Sequence, residues 1–218
     1  MVSSIKPYSI CVIDIGSPRL HRLGWSLYDS HLKQCFEGMD LDVLLNQLFI
    51  TLQHSGLLLG FEAPLFVPTR HEPMQMLKAR QGEGRRPWSA GAGAQVLTMN
   101  LPIMHYLVNK LTQKMTLDWQ ITPTLFQADP GQILVFEALV SGQDKGQSHI
   151  EDARIMVNYC RQYANQHQLP NTILQEEPNT GYFNLVTATL LSCGYSIATD
   201  QLNLPCPIYQ PKPHETKT

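Results

Sequence analysis

Acids recur at one kind of place in this chain. Asp14 closes the apolar run Ser9-Ile-Cys-Val-Ile-Asp-Ile-Gly16, Glu62 closes Leu57-Leu-Leu-Gly-Phe-Glu62, and Glu137 closes Gln132-Ile-Leu-Val-Phe-Glu137. Apolar runs without helical period predict strands buried on both faces. A carboxylate inside such a strand is costly, so each acid belongs at the strand's C-terminal exit, where ligands collect in open α/β sheets. A fourth acid, Asp152, falls in the first turns of a predicted helix, in His149-Ile-Glu-Asp152-Ala153. Strand exits set side by side would give a self-repulsive cleft that needs cations. Oxygen ligands of this kind suit Mg²⁺ or Mn²⁺. Two such ions about 3.5–4 Å apart activate water and stabilise the leaving oxygen in phosphodiester hydrolysis. His149 and Asp152 are three apart and share a helix face that excludes Glu151. The predicted metal ligands are therefore Asp14, Glu62, His149 and Asp152, and the predicted catalytic acids are Asp14, Glu62, Glu137 and Asp152.

The elements that must position these residues follow from local pattern. Leu23 to Tyr28 alternates as a second strand antiparallel to the first, and Leu32 to Glu37 suits a third, after the turn at Asp29-Ser30. Asp40 is a predicted N-cap for a helix over 41–53, whose leucines recur at helical spacing. Residues 63–89 form a long irregular insertion, rich in Pro, Gly, Arg and Met. Connectors of that length are commonly functional. Helical character resumes over 89–114, with Pro102 expected to kink or divide it. Further helices are predicted over 148–166 and 182–191, and an extended tail over 204–218. A single α/β domain over 1–218, with a mixed sheet flanked by helices, is the simplest account.

The order of these features resembles the ribonuclease H-like fold, specifically its Holliday-junction-resolvase branch. It also resembles the predicted ribonuclease H-like nucleases of bacteria. The stretches that carry the likeness are Gly60-Phe-Glu-Ala-Pro-Leu, Arg86-Pro-Trp-Ser-Ala-Gly-Ala-Gly-Ala94 and Val135-Phe-Glu-Ala138, within a span from Ile10 to Leu191. The resemblance implies an antiparallel meander followed by parallel strands. It implies a metal site made by the first-strand Asp14, by Glu62 and by the His149/Asp152 pair. If 182–191 is instead the fold's last helix, its polar position is the neutral Asn184.

A second cluster is basic. Arg70, Lys78, Arg80, Arg85 and Arg86 fall within the insertion beside Trp88. Arginine forks suit phosphate groups, and Trp88 suits stacking on a base. These residues are the expected nucleic-acid contacts, although a solvated surface run and a core role for Trp88 are the plainer readings.

Composition bounds these expectations. The 218 residues carry 43% hydrophobic and 16% charged residues and a net charge of −2, as expected of an ordinary globular protein. Five scattered cysteines without a Cys-x-x-Cys pair give no support for a zinc or thioredoxin site. No signal-length or membrane-spanning apolar run occurs, so the expectation is a cytoplasmic protein with no membrane partner. The sequence leaves a homo-oligomer open. The leading expectation is a two-metal, Mg²⁺- or Mn²⁺-dependent nuclease acting on DNA or RNA. A non-catalytic binding module on the same fold is the alternative. ATP-dependent phosphotransfer ranks below both, because no second apolar strand ends in Asp-x-Gly.

Overall fold

A computed structural model describes residues 5–83, 87–140, 145–175, 177 and 180–211. Its centre is strand β1 (Tyr8–Asp14), buried along its whole length. β1 pairs antiparallel with β2 (Gly24–Asp29), which pairs antiparallel with β3 (Gln34–Gly38). On its other side β1 pairs parallel with β4 (Gly56–Glu62). The short strands β5 (Phe66–Thr69) and β6 (Asp118–Gln120) follow, then β7 (Gln132–Ala138). The main sheet runs β3-β2-β1-β4-β7-β6, with β4, β7 and β6 parallel to β1.

Helices cover both faces. Helix α1 (Leu41–Leu52) begins where Asp40 accepts hydrogen bonds from the Asp42 and Val43 amides, as its N-cap position predicts. Helix α2 (Ala94–Lys114) carries Pro102 without being divided, and a π-turn at 88–92 precedes it. Helix α3 (His149–Ala164) is capped by Ser148, and α4 (Leu185–Ser192) by Asn184.

Strand alternation sorts the core into two layers. On one face Ile10, Val12, Leu58, Leu134 and Phe136 pack with Ala153, Met156, Val157 and Cys160 of α3. On the other, Cys11, Ile13, Leu57, Leu59, Phe61, Ile133 and Val135 pack with the apolar faces of α1, α2 and α4.

Two expectations change here. The insertion contains β5, which pairs with β8 (Gly181–Asn184), so the predicted helix over 182–191 is a strand for its first residues. The tail supplies β9 (Ile208–Tyr209), which adds to the exit end of β7 through Glu137 and Ala138. Both are short pairings between distant segments, and local sequence pattern does not encode them. No described helix is long and apolar enough to cross a membrane.

Candidate metal centre

Asp14 and Glu62 are directly opposed in the parallel register of β1 and β4, so both carboxylates leave the sheet on the α3 face. Asp152 comes down on them from the first turn of α3. One ligand oxygen from each of the three lies within 4.8 Å of the others. All three residues are buried, exposed by only 5%, 3% and 6%.

A glycine permits this approach. Gly24 lies opposite Asp14 on β2, and a Cβ there would stand 2.3 Å from the His149 carbonyl carbon and the Ile150 nitrogen. With any larger residue the start of α3 could not cross β2 at Asp14. The crossing brings His149 Nδ1 to 2.5 Å from Asp14 Oδ2. Glu151 turns away and accepts from the Gln147 amide at 2.6 Å, while the Ser148 hydroxyl accepts from the Glu151 amide. That reciprocal arrangement is close to a capping box.

The electrostatics are unbalanced. Burial, followed by the Asp14 charge, pushes the Glu62 carboxyl up to about 9. Burial also raises Asp14, against the opposing pull of His149. Among the described residues the compensating groups are few. The Gly146 amide donates to Asp152 Oδ1 at 2.6 Å. Lys145, half-exposed, holds its ammonium 3.5 Å from Glu62 Oε1 and 4.0 Å from Asp152 Oδ2. Burial works against that ammonium, but the three carboxylates prevail and raise its pKa. Glu62 Oε2 is buried with no hydrogen-bond partner among the described residues. An orphaned carboxylate oxygen on a residue grouped with two more carboxylates fits a hard cation with oxygen ligands. Asp14, Glu62 and Asp152 would hold such an ion, with His149 beside them. Lys145 escaped the sequence reading because nothing local ties a loop lysine to the exit of β4.

Glu137 does not join this cluster. It pairs across the sheet with Phe61, one residue short of Glu62, and this one-residue offset sends its side chain to the opposite face. There it is fully buried and accepts from the Leu65 amide at 2.6 Å and from Arg80 at 2.7 and 2.6 Å. The expected catalytic role for Glu137 gives way to a structural one.

Two arginines of the basic insertion, Arg70 and Arg80, are likewise engaged in structural pairs. Arg80 is buried, with its ring of donors complete: Nε and Nη2 donate to Glu83, Nη1 and Nη2 to Glu137, and Nη1 also to the Phe66 carbonyl. It also lies over the Phe66 ring. Arg70 grips Glu177 with two donors and the carbonyls of Gln75, Lys78 and Ala79 with the rest. Neither guanidinium has a donor left for phosphate. Trp88 is half-buried against the core rather than presented for stacking. Lys78 is exposed, and Arg85 and Arg86 lie outside the described residues. Asn184 is occupied as the cap of α4, accepting from the Thr187 amide and donating to the Leu204 carbonyl, so the third acid comes from α3.

Compared with known proteins, the chain matches no family model, no curated protein and no solved structure.

Proposed function

We propose that this protein is a divalent-cation-dependent nuclease with a ribonuclease H-like architecture, hydrolysing phosphodiester bonds of DNA or RNA. The observation that carries the proposal is the convergence of Asp14, Glu62 and Asp152, with the buried Glu62 Oε2 left without a partner among the described residues. The strand order supports it: an antiparallel meander β3-β2-β1, then parallel β4 and β7, with an acid on each of the two central strands and one on the overlying helix.

Mg²⁺ or Mn²⁺, bound as one or two ions, would lower the pKa of a bound water and stabilise the departing oxygen. The chain's own residues orient this chemistry. His149 fixes the Asp14 carboxylate through Nδ1, and its ring, 43% exposed, offers a route for a proton between Asp14 and solvent. The packing of α3 across Gly24 holds Asp152 in place as the third ligand.

A second reading has its own observation. Lys145 at 3.5 Å from Glu62 suits a non-catalytic module in which an ammonium stands in for the ion. Titration with Mn²⁺, followed by melting temperature and by cleavage of DNA and RNA substrates, separates the two. The nuclease reading expects Mn²⁺ to stabilise the wild-type chain. It also expects cleavage that disappears, together with the stabilisation, in Glu62→Gln. An unmoved melting temperature and intact substrates would leave the non-catalytic reading standing.

A further inference from the structure

Arg70 and Arg80 have no donor left for a phosphate, and the turn between β1 and β2 carries two further arginines. Among the described arginines, Arg70, Arg80 and Arg154 are paired with carboxylates, and Arg161 lies over the Tyr28 ring. Arg19 and Arg22 are exposed and have no side-chain hydrogen-bond, ion-pair or ring partner among the described residues. Both lie in the chain between Asp14 and its pairing partner Gly24, in the turn that leaves the exit end of β1.

The turn that carries them is built to hold its shape. The Leu20 and Arg22 amides donate to the Ser17 carbonyl at 3.1 and 3.0 Å, and the His21 amide donates to that of Pro18 at 3.1 Å. Gly16 presses so closely on the Arg22 carbonyl that a Cβ would lie 1.3 Å from that oxygen. Beside the turn lies an open, mainly apolar groove of about 360 Å³, where Gly16, Ser17 and Pro18 face Met99, Pro102 and Tyr106 of α2. Asp40 and Asp42 lie on the neighbouring wall, engaged respectively in capping α1 and in accepting from the Tyr106 hydroxyl. They repel phosphate, so the groove suits an uncharged base and the arginines suit the backbone.

We infer that Arg19 and Arg22 form the phosphate-backbone contact of a polynucleotide whose base enters the groove under Tyr106. The inference rests on the nuclease reading for its substrate class, but it concerns binding and is separable from cleavage.

The test uses fluorescein-labelled, mixed-sequence DNA and RNA oligonucleotides in metal-free buffer, with affinity followed by anisotropy across a salt series. The proteins are wild type, Arg19→Gln/Arg22→Gln, and Lys33→Gln as a single-charge control on the β2–β3 turn at the far end of the sheet. The double variant is expected to bind at least tenfold more weakly, with a log–log salt slope shallower by about two, one for each phosphate that is no longer neutralised. Lys33→Gln should match wild type. Mn²⁺ stabilisation should be the same in all three, because none of these residues touches the acids. Equal affinity and slope in wild type and double variant overturns the inference, as does wild-type protein that binds neither oligonucleotide. Arginine-dependent binding without Mn²⁺ binding or cleavage upholds it while removing the nuclease reading.

Discussion

Two buried carboxylate sites lie on opposite faces of the same sheet, at the exits of neighbouring strands. At Glu137 every charge is answered. The Arg80 guanidinium uses all its donors on Glu137, Glu83 and the Phe66 carbonyl, and Glu137 also receives the Leu65 amide. At Asp14, three carboxylates face one half-exposed ammonium and one histidine, and an oxygen of Glu62 has no partner among the described residues. Burial is common to both sites; a deficit of donors sets the Asp14 cluster apart. The Glu137 site is a fastener that ties the insertion after Glu62 to the sheet, and the Asp14 site is the one whose carboxylates outnumber their described donors.

The sharpest way to break this contrast is to remove a charge from each side, and the signs should be opposite. Arg80→Met strands Glu137 and Glu83 without their cation, and removal of one partner from a buried pair costs about 3–5 kcal/mol. Chemical denaturation should show a loss of that size without any dependence on Mn²⁺. A near-neutral result would mean that the guanidinium network contributes little and that the contrast between the sites is false.

Asp14→Asn should do the reverse in metal-free buffer. It removes a buried charge and its repulsion against Asp152, so the variant should melt above wild type, and Mn²⁺ should no longer raise it. The pH dependence follows from the same imbalance. Glu62, with its folded pKa near 9 against an ordinary 4.5, binds a proton in the folded state that the unfolded chain has released. Across that window the folded state holds more protons, so metal-free stability falls as pH rises. Asp14 is raised also and acts in the same direction. Metal-free wild type should lose melting temperature from mildly acidic to alkaline pH, Asp14→Asn should lose less, and Mn²⁺ should restore the alkaline value. A flat wild-type profile would contradict the charge excess at the cluster.

How far the sequence discloses these two sites depends on what strand pattern can encode. The exits of β1, β4 and β7 were legible, because apolar runs ending in an acid admit few other readings. The pairing of His149 with Asp152 on one helix face was legible from spacing alone. Which face each exit presents was not. Strands buried on both sides lack the polar alternation that reveals parity, so Glu62 and Glu137 look alike until the register sets Phe61, not Glu62, opposite Glu137. The roles of Arg70 and Arg80 were hidden for a related reason: their partners Glu177 and Glu137 are distant in sequence, and a buried arginine looks no different from a solvated one. Gly24 carried no visible signal either, since only the crossing of α3 over β2 makes a side chain there untenable.

Lys145 gives the smallest effect and the finest discrimination. Its ammonium approaches Glu62 and Asp152 from a half-exposed position, where an ion pair contributes about 0.2–1 kcal/mol. If it occupies part of the space that a divalent ion would take, Lys145→Met should tighten Mn²⁺ binding by up to about fivefold, the same energy expressed as a ratio of dissociation constants. The measurement belongs above the pKa of Glu62, because near neutrality the loss of the ammonium also strengthens proton binding at Glu62 and masks the gain. Weaker Mn²⁺ binding in the variant would show instead that Lys145 helps hold the ligands in place. The cluster would then resemble the Glu137 site, with a cation built into it, more closely than the geometry of its three carboxylates implies.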